Sequence, residues 1–349
     1  MMKRISVIGH FAYGKTFLDG QTIKTKIVTE ELKRQVGNNQ VLEIDTYGGI
    51  KNLWKAPFQI FKAFRQSKNI IIFPAQNGLR IYAPLLSFLK CFYKDRKLHY
   101  VVIGGWLPQF LSKRKALAKA LKGFNHIYAE TNMVKNTLEA QGFCNVTIMP
   151  NCKRLKILSK EELQYQGNMP YKLCTFSRVM KQKGIETAVD VIRRVNNQLG
   201  YTAYSLDIYG AVSEESREWF DALQLRFPDY VRYCGCVDAD QSVEVLQSYF
   251  ALLFPTHFYT EGIPGTIIDA YAAGIPVISA KWESFADVVE DRKTGIGYEF
   301  DHGEQLQEIL LHVVKNPETV FLMKGNCIKK AKKYIPEATV RIITERLVW

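Results

Sequence analysis

Short apolar runs rich in Val, Ile and Phe recur along the whole chain, each followed by a longer segment of helical period. The runs at 4–9, 40–44, 69–73, 100–103, 126–129 and 146–149 read as buried strands, with helices between them, for example over 22–35, 53–65 and 79–93. A second series follows, with strands at 172–176, 205–209, 231–234, 251–254 and 276–279 and helices at 185–197, 214–227, 240–248 and 266–273. Uninterrupted apolar strands are those covered on both faces, and their alternation with helices builds parallel sheets. The fold class that follows is α/β, with two doubly wound sheets. At 349 residues the chain is long enough for two such domains, each with its own core. The polar stretch 153–170, with Gly167 and Pro170 and no strand signal, separates the two series. Parallel sheets bind ligands outside the carboxyl ends of their strands, so two in tandem predict a cleft between them.

Charge divides the chain more sharply than its total of +13 suggests. The first 160 residues carry 27 Lys and Arg against 8 Asp and Glu, a net of +19, whereas the remaining 189 carry 20 against 26, a net of −6. The first half is therefore suited to meet anions. No apolar run reaches the roughly 18 residues that would span a bilayer. The start of the chain, MMKRISVIG, is broken too early by Gly9 and His10 for a signal peptide and reads as the first strand. Seven scattered cysteines, with Cys234 and Cys236 the one close pair, fit reduced thiols in a cytosolic protein.

Residues 9–16, GHFAYGKT, satisfy the P-loop pattern and follow a predicted strand. In a P-loop the helix begins at the Lys-Thr pair, so that its amino end holds phosphate. Here Asp19-Gly20 is a turn dipeptide, helical period begins near Thr22, and no strand-ending Asp stands out as a metal ligand. The alternative this motif leaves is a P-loop-type phosphotransferase using Gly9 to Thr16.

The second half holds the stronger pattern. In FSRVMKQKGI, residues 176–185, a strand ends and a helix begins after Gly184. Arg178 and Lys183 beside a helix amino end make a clamp for a diphosphate: planar bidentate donors, a point charge and a partial positive pole. In FPTHFYTEGIPGTIIDA, residues 254–270, Glu261 lies on a loop and Asp269 about one turn inside the following helix. Two separated carboxylates with backbone amides between them suit hydroxyl groups at two ends of one ligand. A sugar nucleotide meets that description better than a bare phosphate.

With these motifs in place the whole chain resembles the retaining glycosyltransferases of family four, of the two-domain GT-B fold. The landmarks run in order: Gly20-Gln-Thr, IYAET at 127–131 followed by Leu138, Pro150-Asn151, Ser177-Arg178 with Lys183-Gly184, Ile208-Tyr-Gly210, Tyr233-Cys-Gly235, Glu261-Gly with Asp269-Ala, Gly274-Ile-Pro-Val277 and Thr294-Gly295. The resemblance implies an acceptor-binding Rossmann-like domain over 1–165 and a nucleotide-sugar-binding one over 166–335, with a last helix at about 336–349 packing back onto the first. It implies catalytic roles for Arg178, Lys183 and Glu261, the pair neutralising the leaving diphosphate and Glu261 contacting the donor sugar. Asp269 would meet the ribose hydroxyls, and Gly262, Ile263, Gly265 and Thr266, with Gly20 and Gly210, would shape the donor site. No metal or cofactor is expected, since the Arg/Lys pair and helix dipole would stabilise the departing phosphate. UDP is the expected nucleotide because it is the commonest among similar enzymes, and the sugar would be a hexose or N-acetylhexosamine. Asp269 replaces the more usual Glu, as in a polysaccharide- or capsule-assembly subgroup. Many relatives carry a His just after the fourth strand; here that stretch is VIGGW at 102–106, leaving Gly104, Gly105 and Trp106 as acceptor-side candidates. His99 is read as a surface residue ahead of the strand. A front-face mechanism, in which the departing phosphate oxygen takes the acceptor's proton, works without a His.

The basic half carries interleaved aromatics: Leu53, Trp54, Pro57, Phe58, Phe61 and Phe64 with Lys51, Lys55, Lys62 and Arg65, then Phe88, Phe92 and Tyr93 with Lys90, Lys94, Arg96 and Lys97. Phe110 and Leu111 follow with Lys113, Arg114, Lys115, Lys119 and Lys122. Such segments suit the surface of an anionic membrane. The expectation is a cytoplasmic protein peripheral to the inner leaflet, acting on a saccharide or polyprenyl-diphosphate-linked acceptor. Nucleic acid would also answer the charge, but no recognised nucleic-acid module is present and none is expected as partner. A non-catalytic sugar-nucleotide-binding protein is the remaining alternative.

Overall fold

The computed structural model describes residues 3–14, 20–48, 54–165 and 167–348. The chain forms two compact units: residues 1–154 with 334–349, and residues 155–333. In the first, β1 (Lys3–Gly9), α1 (Gly20–Val36), β2 (Val41–Asp45), α2 (Ala56–Gln66), β3 (Ser67–Ile72), α3 (Gln76–Lys90) and β4 (Lys97–Val101) follow one another. Then come α4 (Leu107–Ser112), α5 (Lys115–Lys122), β5 (His126–Ala129), α6 (Asn132–Ala140) and β6 (Val146–Ile148). The strands form a parallel sheet in the order β2-β1-β3-β4-β5-β6.

The second unit runs β7 (Tyr171–Phe176), α7 (Ile185–Leu199), β8 (Tyr204–Tyr209), α8 (Arg217–Gln224), β9 (Val231–Gly235), α9 (Ser242–Leu246), β10 (Ala251–Phe254), α10 (Gly265–Ala272), β11 (Val277–Ala280), α11 (Phe285–Val288) and β12 (Gly295–Tyr298). Helices α12 (Gly303–Lys315), α13 (Glu318–Phe321) and α14 (Lys324–Ala331) complete it, before α15 (Pro336–Thr344) in the first unit. Its parallel sheet has the order β12-β11-β10-β7-β8-β9. The chain leaves β7 in one direction and returns to β10 on its other side, so the topological switch point lies between these two neighbours.

The helices beside the first sheet turn their apolar stripes to it. On α2 the buried residues Ala56, Ile60, Ala63 and Phe64 recur at helical spacing, and Pro57 sits in the first turn, where a missing N–H costs nothing. The first sheet is covered on one face by α2 to α6 and on the other by α1 and α15, whose Val28, Leu32, Val340 and Ile343 pack on Ile5, Val7 and Ile71. Arg154 fastens α15 to α1 through Glu31 at 2.8 Å and Glu337 at 3.1 Å. A buried ion pair, Lys24 with Glu130 at 2.6 Å, ties α1 to the end of β5, and Lys24 also donates to the Val102 carbonyl at 3.0 Å.

Three differences from the sequence reading have plain causes. The chain passes between the units at Arg154–Leu155 rather than at 165–166. Leu158 and Leu163 are buried in the second unit, Leu158 N–H donating to Ala272 at 2.9 Å, so the polar stretch is already anchored there. Strand β4 begins at Lys97, which places His99 inside the sheet and fully buried rather than on the surface. Its Nδ1 lies 3.0 Å from the Tyr128 hydroxyl and its ring stacks on His126 at 5.3 Å. Burial, with His126 beside it, pushes its pKa down to about 3. Strand β12 had no signal, because Gly295 and Gly297 interrupt its apolar pattern; a side chain at Gly295 would meet the Val277 carbonyl at 2.3 Å.

Candidate functional site

Two loops leave the switch point of the second sheet and lie against each other. The loop after β7 carries Arg178 and Lys183 and ends at Gly184, whose φ of 69° is left-handed. A Cβ on Gly184 would stand 1.8 Å from the Pro255 carbonyl, so the loop after β10 touches it backbone to backbone. The His257 N–H donates to the Gln182 carbonyl at 2.8 Å and continues the seam. The His257 ring spans Asp301 at 2.6 Å and Thr187 at 3.2 Å, bracing the same loop from outside.

This seam places Lys183 against Glu261. The two form a short ion pair, largely withdrawn from solvent, and the Thr256 hydroxyl donates to the same carboxylate oxygen at 3.4 Å. The ammonium also lies over the rings of Phe254 at 5.6 Å and Phe258 at 5.1 Å. Arg178 is exposed one residue past Ser177. The backbone there is pinned from the β8 side: Val179 N–H donates to Ala211 at 2.9 Å, and a Cβ on Gly210 would fall 1.9 Å from the Ser177 carbonyl. Gly210 thus serves the site by letting two loops meet, with its carbonyl accepting from the Tyr233 hydroxyl at 2.9 Å.

Two helix amino ends open at the same edge of the sheet, α7 after Gly184 and α10 after Pro264, and neither has a side-chain cap. The first-turn amides and the partial positive charge of such an end favour an anion. Gly262, Ile263 and Pro264 are buried, Gly265 and Thr266 half-buried, and the Thr266 hydroxyl is enclosed without a hydrogen bond. Asp269, 3 % exposed, lies in the second turn of α10, where the buried Ser242 of α9 donates to it at 3.2 Å. Thr256 and Ser242 escaped the sequence reading. Thr256 carried a weak signal as a polar residue at a strand end, whereas Ser242 sits in another helix and carried none.

Gly20, Gly104, Gly105 and Trp106 lie in the first unit. Gly20 opens α1, and the next residue, Gln21, donates to the Phe73 carbonyl at 3.1 Å at that sheet's own switch point, between β1 and β3. Gly104 has a φ of 79° in the turn after β4, and Trp106 Nε1 donates back to Ile103 at 2.7 Å. Lys15, Thr16 and Asp19 of the P-loop-like segment lie outside the described residues. A strand-ending Asp does exist nearby, contrary to the sequence reading: Asp45 closes β2. Its carboxylate accepts from the amides of Phe11 at 3.0 Å, Ala12 at 3.3 Å, Tyr13 at 3.4 Å and Tyr47 at 2.9 Å. In a P-loop such amides cradle phosphate. Here they face a carboxylate of the chain itself, which would repel one.

A family model described as glycosyl transferases group 1 matches residues 160–334. AmsK of Erwinia amylovora, an amylovoran biosynthesis glycosyltransferase, is 23% identical over 199 residues, 53% of this chain and 48% of that protein. WcaL of Salmonella typhimurium, named for colanic acid biosynthesis, is 26% identical over 131 residues, 36% of this chain and 32% of its own length. The chain thus spans no more than about half the length of these curated relatives. HepE of Anabaena, solved with UDP and glucose, superposes with a TM-score of 0.74 at 15% identity over 99% of both chains. The lipopolysaccharide outer core galactosyltransferase WaaB gives 0.73 at 14% over 98% of both. These two share the fold, two parallel six-stranded sheets in the GT-B arrangement of secondary structure. With a model match over half its length, on the unit that holds Arg178, Lys183, Glu261 and Asp269, the chain belongs to the group 1 glycosyl transferases.

Proposed function

We propose that this chain transfers a hexose or N-acetylhexosamine from a UDP-sugar to a saccharide acceptor, with retention at the anomeric carbon, in surface polysaccharide assembly. The observation that carries the reading is the Lys183–Glu261 pair, seated between two uncapped helix amino ends at the switch point of the second sheet. The UDP bound by HepE and the polysaccharide pathways for which AmsK and WcaL are named support the donor and the setting.

In this reading Arg178 and Lys183 take the diphosphate, Glu261 a hydroxyl of the donor sugar, and Asp269, oriented by Ser242, the ribose. Gly262, Ile263, Gly265 and Thr266 bring backbone and the Thr266 hydroxyl to the sugar phosphate. The bond from the anomeric carbon to the phosphate oxygen breaks, and the acceptor oxygen bonds to the same face. The acceptor's proton passes to the departing phosphate oxygen, so no His is required. Arg178, Lys183 and the two helix dipoles offset the charge of the leaving group without a metal. The acceptor is a polyprenyl-diphosphate-linked saccharide received by the first unit near Gly104, Gly105 and Trp106, at the inner face of the cell membrane. No helix among the described residues is long and apolar enough to cross a membrane. Docking would therefore be peripheral.

Arg178→Ala and Glu261→Ala test the reading. Losing a charge-assisted hydrogen bond costs roughly 1.5–3 kcal/mol, which is about tenfold to a hundredfold or more in kcat/KM for transfer from UDP-sugar. Thermal-shift screening against UDP, UDP-sugars, ATP and GTP is the direct check. If only ATP or GTP raises the melting point, and Lys15→Ala abolishes it, the phosphotransferase reading replaces this one. Transfer that survives a chelator is the expected result for a metal-free mechanism.

A further inference from the structure

We infer that the outer face of α2, continued onto the end of α3, is the surface by which this chain docks on a bilayer carrying anionic lipid. The inference deepens the membrane part of the proposed function and rests on it for its purpose, while its observations come from the first unit alone.

Folding sorts the aromatics of the basic half into two sets. Phe64 and Phe110 enter the core, with the aliphatic Leu111 beside Phe110 in sequence. Trp54, Phe58 and Phe61 remain outside, as do Phe88 and Phe92, with Phe58 71 %, Phe92 70 % and Trp54 66 % exposed. Trp54, Phe58, Phe61 and Arg65 follow each other at spacings of four, three and four, one stripe opposite the buried stripe of Ile60, Ala63 and Phe64. Beneath the stripe the end of α2 meets the turn after α3, where Phe64 lies 5.3 Å from the Tyr93 ring and the Phe64 carbonyl accepts from Arg96 Nε at 2.9 Å. That contact joins the end of α2 to the turn where Phe88 and Phe92 pack edge to face at 5.4 Å. Helices α2, α3 and α5 share one core and so lie on one side of the sheet.

Charge selects the occupant. From residue 46 to 129 the chain has 15 Lys and Arg and one acidic residue, Asp95, which is already paired to Arg96. Lys55 lies 5.5 Å from the Trp54 ring and Arg65 5.7 Å from that of Phe61, so cations border the apolar stripe instead of lying apart from it. Lys62, Lys94, Lys115, Lys119 and Lys122 are exposed on the same layer. Exposed rings among unopposed cations match the headgroup region of an anionic leaflet, where rings enter the acyl boundary and cations meet phosphate. A protein partner would need a concentrated acidic surface. Nucleic acid would leave the large apolar stripe in water.

Flotation of the full chain with vesicles tests this, using phosphatidylcholine alone and phosphatidylcholine mixed with phosphatidylglycerol. Recovery with the mixed vesicles and not with the neutral ones is expected. Lys62→Gln with Arg65→Gln should lower the partition about thirtyfold, and Phe58→Ser with Phe61→Ser about tenfold or more. All four side chains are exposed, so melting and the UDP-induced thermal shift should stay as in the parent. Equal recovery with both vesicles, or unchanged recovery of both double variants, overturns the inference. So does a homodimer in sedimentation that the Phe58/Phe61 variant dissolves, or preferential binding to a homopolymer RNA. Lost UDP binding with intact flotation would instead sink the transferase reading and leave the docking surface standing.

Discussion

Lys183 and Glu261 neutralise each other in the free protein, so a diphosphate reaching this site must share the ammonium with a carboxylate or take it over. Glu261→Gln removes the competitor while keeping the shape. It should tighten the bare nucleotide diphosphate roughly five- to tenfold in calorimetry while slowing sugar transfer, a split that mere loss of folding would not produce. Gly184→Ala acts through the backbone: its Cβ would overlap the Pro255 carbonyl at 1.8 Å on a residue of φ 69°. Such strain costs about 1–3 kcal/mol or more, and scanning calorimetry should show the second unit melting earlier. Lys183 and Glu261, which the structure brings together, were legible because a Lys before a helix start and a carboxylate on the loop after a strand stand out in the sequence. Ser242 was not, because its meeting with Asp269 depends on how α9 lies beside α10. Nor was the close approach that explains Gly184 and Gly210, which exists only once two loops are folded against each other.

Among the described residues, eleven of the twelve strands stood out as apolar runs, and the twelfth, β12, hid because half of its four residues are glycine. Placing β4 three residues late had a larger consequence, since it put His99 on the surface rather than in the sheet. The correct placement makes β4 a pH-sensitive element. Burial holds the His99 pKa at about 3 against an ordinary 6.5, so the folded chain keeps the ring neutral. Above 6.5 neither state binds the proton and folding is unaffected. As pH falls from 6.5 towards 3, the unfolded chain gains a proton that the folded one refuses, and stability declines. His99→Gln can keep a hydrogen bond to Tyr128 and cannot titrate. Its urea midpoint should therefore fall less than the parent's across that window; parallel curves would show that His99 has no part in the loss.

At the scale of the whole molecule, the sheet-and-helix alternation announced two α/β units, and the charge count separated a basic first series from an acidic second one. What it could not announce was the route of the chain, because residues 155–165 look like linker in composition and are fixed by two leucines. Val340, Ile343 and Leu347 fill the core of the first unit from the far end of the sequence. Each buried side chain of this kind contributes about 1.5–3 kcal/mol. A chain ending at Lys333 should consequently expose dye-binding apolar surface and lose the first thermal transition, while the second unit still melts cooperatively.

The return of the last segment makes the second unit a guest spliced into a host. Host residues on the two sides of the splice touch, the Lys153 amide donating to the Tyr334 carbonyl at 3.0 Å. The host is therefore continuous in space where it is broken in sequence. Joining Arg154 to Tyr334 through a short glycine bridge should give a closed, self-sufficient basic domain. Evolution, like the engineer, could exchange the guest at that seam without unpicking either core.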